Sequence, residues 1–248
     1  MDWNGAAVID VQNLSVVYPD GTKAIDDISF SLTDGETAAL IGANGAGKTS
    51  LILSLVGVIP SKGDVAVGDV RLCRETIGEV RRLVGVVFQN PDDQLFMPTI
   101  YDDVAFGLRN YGIAETEIEQ RVDCGLQELR IAHLKQRSSL KLSAGEKRTA
   151  AIATVLVMEP TVMLFDEPTA FLDPKARRNL IKLLGKLPHT KLIATHDIPF
   201  AAQVCDRAIL LKSGRIFADG PSSELLYDEK TMDDCGVEAI PLSYQGGR

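Results

Sequence analysis

Two groups of residues in this chain have the types and spacing that phosphate chemistry requires. Gly42-Ala43-Asn44-Gly45-Ala46-Gly47-Lys48-Thr49 fits the phosphate-binding loop pattern at every position, with Ser50 following. The glycines, Gly45 and Gly47 above all, let successive backbone N–H groups turn inward on a phosphate chain, and a helix N-terminus behind them adds positive potential. Lys48 brings a cation to the outer phosphates, and the Thr49 hydroxyl can ligate Mg²⁺. The glycine order G-x-x-G-x-G excludes the dinucleotide fingerprint, which runs G-x-G-x-x-G. More than a hundred residues later, Asp166-Glu167 closes an apolar run. Asp166 is placed to be the second anchor of Mg²⁺, and Glu167 to orient or deprotonate a water attacking a γ-phosphate. Either group alone has a plain alternative, a glycine-rich turn or an acidic strand end. Together, in this order, they describe one phosphoryl-transfer site, so a nucleoside triphosphate is the expected ligand.

These residues need a scaffold that brings strand ends together. Ala38 to Ile41 reads as a buried strand running into the glycine loop, and Lys48 opens a helix through Leu51, Ile52, Leu53 and Leu55. Upstream, residues 8–18 and 24–32 alternate polar and apolar and are split by Tyr18-Pro19-Asp20-Gly21, as two antiparallel strands would be. A hairpin is expected over 64–72, a helix over 75–83 and a buried strand over 84–88. Helical periodicity then fills 99–110, 115–129 and 145–158, which interrupts the strand–helix alternation as an inserted helical subdomain of about 91–158. Alternation resumes with strands at 162–165, 191–195, 208–211 and 215–218, helices at 174–185 and 198–205, and a short helix near 222–227. The fold class is α/β: a P-loop NTPase core with a mostly parallel sheet, N-terminal antiparallel strands and a helical insert. One nucleotide-binding domain over residues 1–220 is expected. Residues 221–248 form a short extension, read as irregular after Asp228.

Composition narrows the function classes. At 248 residues, 45% hydrophobic and 24% charged, the chain suits one large globular domain. A net charge of −8 argues against nucleic acid as a partner. Cys73, Cys124, Cys205 and Cys235 are far apart, which fits neither a zinc knuckle nor a disulfide framework and suits a reducing compartment. The first residues lack a basic segment ahead of an apolar core, so no secretory leader is expected. No apolar run approaches the ~18 residues of a membrane helix, so any work at a membrane goes through a partner.

Between residues 8 and 220 the chain resembles the nucleotide-binding subunits of ATP-binding-cassette transporters. Leu142-Ser143-Ala144-Gly145-Glu146-Lys147-Arg148 resembles that family's signature sequence. The resemblance implies that Ser143 and Gly145 meet the γ-phosphate of an ATP held by a second ATPase subunit, identical or paralogous, in a head-to-tail dimer, with Glu146 offering an acceptor to a ribose hydroxyl. A capping box of Ser143 with Glu146 reads the same residues locally, and both readings hold together. The resemblance further implies that Tyr18 stacks on adenine, although a lone tyrosine there also suits plain packing. It makes Gln89 a Mg²⁺ and membrane-partner contact, Asp173 a contact to the opposite subunit, and His196 a γ-phosphate contact. His196 would also hold the attacking water near Glu167.

Phe88 to Gly107 is similar to the ATPases of energy-coupling-factor importers, the cobalt-transport branch in particular. Leu95, Phe96 and Met97 there read as the exposed floor of a groove for a partner helix, against the alternative of a solvated loop. Ala144, Glu146 and Phe171 depart from the usual glycine, glutamine and small residue, which makes an asymmetric or weakened composite site an expectation. With Glu167 and His196 intact, hydrolysis is expected. The function implied is an ATPase subunit using ATP and Mg²⁺ at the cytoplasmic face of a membrane, joined to an integral membrane transporter subunit and importing cobalt, nickel or a vitamin. The alternatives are a soluble cassette ATPase serving nucleic acid or an assembly, and a regulatory subunit without turnover.

Overall fold

The structure is a computed structural model and describes residues 7–241. The expected absence of a leader and the glycines near the C-terminus fall outside the described residues. The described residues begin with β1 (Ala7–Val17) and β2 (Lys23–Thr33), which pair antiparallel, followed by β3 (Thr37–Ile41) and α1 (Lys48–Leu55). The hairpin β4 (Lys62–Val67) and β5 (Val70–Arg71) turns at Gly68-Asp69, as expected, and β4 adds to β1. Next come α2 (Ile77–Leu83), two residues shorter at its start than its sequence suggested, and β6 (Val84–Val87). The helical insert holds α3 (Ile100–Asn110), α4 (Glu115–Glu128) and α5 (Ala144–Leu156). The chain then runs through β7 (Val162–Asp166), α6 (Pro174–Leu184), β8 (Thr190–Thr195), α7 (Ile198–Val204), β9 (Arg207–Lys212), β10 (Arg215–Pro221), α8 (Ser222–Leu225) and α9 (Glu229–Cys235).

Two sheets result. One has the order β2-β1-β4-β5 and is antiparallel; the other has the order β10-β9-β3-β8-β7-β6, parallel except for β10. The parallel strands read as unbroken apolar runs because both of their faces are buried. Along β3, Ala39 and Ile41 point into one core while Ala38 and Leu40 point into the other. Met163 and Phe165 of β7 separate from Val162 and Leu164 in the same way. The antiparallel sheet and α1 cover one face, and the insert with α6 to α9 covers the other. In this topology β3, β7 and β8 are adjacent and end together, so their C-terminal loops converge at one edge.

Two expectations need correction. Leu95 is not exposed: it is buried in the core of the insert, leaving Phe96 and Met97 at the surface. The segment after Asp228 is not irregular throughout: its first seven residues form α9, and only 236–241 among the described residues lack helix or strand. Asp228 accepts from the backbone N–H groups of Lys230 and Thr231 and caps α9, whose Met232 and Cys235, with Ile240 beyond, are buried in the main core. About two helical turns with two buried residues are too short for periodicity to reveal.

Candidate functional site

Gly42 leaves β3 against the Leu211 carbonyl, where a Cβ would stand 2.4 Å from that oxygen, so no larger residue fits. Gly47 has φ of +107°, and its Cβ would meet the Ala24 carbonyl at 2.4 Å. The loop therefore turns tightly and delivers Lys48 and Thr49 to the first turn of α1. Lys48 is buried, and its Nζ donates to the carbonyls of Gly42 at 2.8 Å and Ala43 at 3.3 Å. Asn44 and Gly45 are exposed at the loop tip. Ser50, one residue past Thr49, lies 3.0 Å from the Tyr18 hydroxyl, so the aromatic ring upstream is tied to the start of α1.

The strand β7 brings the carboxylates in. Thr49 Oγ1 donates to Asp166 Oδ2 at 2.8 Å, while Asp166 Oδ1 is buried without a partner. Burial pushes the Asp166 carboxyl above its ordinary range, and the Thr49 hydrogen bond draws it partly back. Glu167 takes a left-handed φ of +43°, unusual for a glutamate, and its N–H donates to the Ala194 carbonyl at 2.8 Å. That conformation turns its side chain to Lys48, 3.6 Å from Oε1, and to His196, whose Nδ1 is 2.9 Å from Oε2. The His196 backbone N–H also donates to Oε2, at 3.2 Å. Glu167 is buried whereas the His196 ring is largely exposed.

The signature-like residues stand elsewhere. Ser143 caps α5 in a reciprocal box: Ser143 N and Oγ each donate to Glu146 Oε2 at 2.8 Å, and Glu146 N donates to Ser143 Oγ at 3.4 Å. The Ser143 N–H, with its hydroxyl, holds the Glu146 carboxyl below its ordinary range. Asp173 caps α6, accepting from Ala176 N at 2.7 Å. Ser143, Gly145, Glu146 and Asp173 share a cavity of about 600 Å³ to which none of residues 42–50 contributes. Ala144 takes no positive φ, so its methyl group is accommodated, while Phe171 takes φ of +64° and is 76% exposed. Within one chain the structure thus joins Tyr18, Gly42–Ser50, Asp166, Glu167 and His196, and keeps Ser143, Gly145, Glu146 and Asp173 apart from them.

Gln89 is exposed just beyond β6, and its carbonyl accepts from Arg148 Nη2 at 2.6 Å. Arg148 Nη1 donates to the Phe88 carbonyl, also at 2.6 Å. Arg148 is 1% exposed, and burial pushes its guanidinium down to about 10. Sequence reasoning gave this arginine no role. The signal was available, since Arg148 shares its helix face with Ile152 and Val155, where an apolar residue would be the default.

A model of the family described as ABC transporter matches residues 25–170. The chain belongs to that family. A putative ABC transporter ATP-binding protein of Geobacter sulfurreducens is 48% identical over 240 residues, which cover 96% of each chain. The energy-coupling factor transporter ATP-binding protein EcfA of Carboxydothermus hydrogenoformans is 39% identical, over 93% of this chain and 87% of its own. Among solved structures, cbiO1 from Clostridium perfringens, described as part of the ABC transporter complex cbiONQ, superposes with a TM-score of 0.80 at 36% identity. It covers 92% of this chain and 94% of its own. As an ABC transporter ATPase, the chain is an ATP-binding subunit whose hydrolysis of ATP is coupled to transport by membrane components. Among the described residues no helix is long and apolar enough to cross a membrane.

The residues present also fit Mg²⁺. Among the described residues no cluster of three or more His, Cys, Asp or Glu side chains can hold a metal by itself. The Thr49 hydroxyl and the orphaned Asp166 oxygen are instead a pair of hard oxygen donors of the kind Mg²⁺ would accept.

Proposed function

We propose that this ABC ATPase binds Mg·ATP at Gly42–Ser50 and hydrolyses it between two subunits arranged head to tail, driving an importer of the energy-coupling-factor type. The observation that carries this reading is the separation of the two phosphate-facing groups. Ser143 and Gly145, at the start of α5, line a cavity that the P-loop does not reach, so a second subunit is needed to bring them onto the nucleotide. On this reading Tyr18 stacks on the base, while Asn44, Gly45, Gly47 and Ser50 shape the phosphate cradle. Lys48 moves from the Gly42 and Ala43 carbonyls to the phosphates. Thr49, Asp166 and Gln89 would hold Mg²⁺, which neutralises charge on the phosphate oxygens. Glu167 accepts the proton of the attacking water, and His196, hydrogen-bonded to the same carboxylate, keeps it oriented. Asp173 and Glu146 contact the opposite subunit.

On this reading the membrane partner docks at a groove of about 260 Å³ between β6, α3 and α5. Phe96 and Phe106 meet edge to face there, with ring centroids 5.1 Å apart, and remain 61% and 39% exposed. Two adjoining exposed aromatic rings suit the apolar face of a docking helix. The EcfA relative and the cbiO1 structure support the importer subtype; cobalt, nickel or a vitamin as cargo, and the cytoplasmic face as the location, are part of the proposal. The test is purification of the tagged full-length chain from its own membranes. An integral membrane subunit should co-purify with it, and Phe96→Asp should abolish that while the soluble chain still binds ATP. Nucleic acid in place of a membrane subunit would overturn the proposal.

A further inference from the structure

The segment after β10 reaches the underside of the P-loop. α9 ends in a left-handed turn at Gly236, φ +79°, closed by hydrogen bonds from Gly236 N to the Asp233 carbonyl and from Val237 N to the Met232 carbonyl. A Cβ on Gly236 would stand 3.8 Å from the Ala43 Cβ, so the turn lies about one methyl group away from the loop. One residue earlier, the buried Cys235 thiol donates to the Leu211 carbonyl at 3.5 Å, the same oxygen against which Gly42 is pressed. Lys212 Nζ donates to the Asp234 carbonyl and ties β9 to the same turn. Burial raises the Cys235 thiol above its ordinary value, and the Lys212 and Lys48 ammonium groups oppose that rise. Gly42 and Ala43 are also the two residues whose carbonyls hold Lys48.

We propose that the carboxyl end of α9 is a positioning element for the P-loop, in which Cys235 and Gly236 hold Gly42 and Ala43 in place and so set the affinity for ATP. The inference rests on the reading that residues 42–50 bind the triphosphate. Neither residue touches the nucleotide; both act through the two loop residues they support. Binding linkage makes the effect reciprocal: if packing of α9 raises ATP affinity, ATP must tighten that packing by the same factor.

Hydrogen exchange of the full-length wild-type chain with ATP and a chelator, against the chain alone, tests that reciprocity without any substitution. Amides of residues 232–237 should slow several-fold together with those of 42–50. In titration calorimetry Cys235→Ala should weaken ATP binding about three- to tenfold at a temperature where circular dichroism shows the variant folded. Cys235→Ser, which keeps a donor for the Leu211 carbonyl, should restore binding to within about twofold. Unchanged exchange at 232–237 on ATP binding overturns the proposal. So does wild-type affinity in Cys235→Ala. ATP affinity within about twofold of wild type in Lys48→Ala would instead overturn the P-loop reading on which the proposal stands.

Discussion

Lys48 Nζ lies 3.6 Å from Glu167 Oε1, and both side chains are only 8% exposed. The two residues come from β3's loop and β7's end, more than a hundred positions apart, and the parallel pairing of β3, β8 and β7 brings them together. The ammonium is held by this carboxylate and by two loop carbonyls, and on the proposed reading phosphate oxygens replace them as its acceptors. Glu167 is then left with His196 as its donor.

Lys48→Ala should therefore lose ATP affinity by tenfold or more. A hydrogen bond to a charged group contributes about 1.5–3 kcal/mol, and each ~1.4 kcal/mol is a factor of ten. Titration calorimetry of the purified chain with ATP measures this directly, and affinity within about twofold of wild type would remove Lys48 from the phosphate site.

Glu167→Gln keeps the shape of the site and its contact with His196 but removes the proton acceptor. Turnover should fall on the order of 100- to 10,000-fold with ATP binding retained. An ATP-bound dimer should then persist in gel filtration. Steady-state phosphate release at the wild-type rate would reassign the general base.

Arg148→Met should destabilise the fold by about 2 kcal/mol. The substitution leaves two half-buried carbonyls without their donor, at up to roughly 1–3 kcal/mol each, and this is offset in part because the buried guanidinium no longer has to be held charged. For a domain of this size that corresponds to a fall in Tm of about 4–8 °C. Exchange of amides around Gln89 should quicken first, since Arg148 is the link from α5 to that carbonyl.

Asp103 gives a pH signature. Its Oδ1 accepts from the N–H groups of Phe96 and Met97 at 2.9 and 2.8 Å, its Oδ2 is buried unpartnered, and burial raises its carboxyl above 3.8. Between 3.8 and the higher folded value the native state binds the proton more tightly than the unfolded chain. Stability from this group therefore grows as pH falls through that window and is lowest above it. Asp103→Asn cannot titrate. In urea unfolding it should be more stable than wild type at pH ~7.5, and the advantage should shrink toward pH ~4. An advantage that does not vary with pH would mean that Asp103 does not titrate across this range.

How much was legible in the sequence depends on the range of the signal. Gly42–Thr49 and Asp166-Glu167 could be recognised because glycine spacing and strand-ending acids are local patterns, and the strands around them carry apolar runs that only a doubly covered sheet explains. Leu95 was misread as exposed because a single turn between Pro91 and Thr99 has no periodicity with which to assign a face. The helix at Glu229–Cys235 was missed for the same reason.

By itself the sequence determined the α/β class, the antiparallel strands before the P-loop, the helical insert and the phosphate-binding residue types, since each depends on near neighbours and on hydrophobic period. Only the tertiary structure decided which of those residues meet. It joined Thr49 to Asp166 and Lys48 to Glu167, kept Ser143 and Gly145 in a separate cavity, and set Cys235 and Gly236 beneath Gly42 and Ala43. Those encounters follow from strand order and from the burial of both sheet faces, which involve residues a hundred or more positions apart and leave no local pattern in the chain.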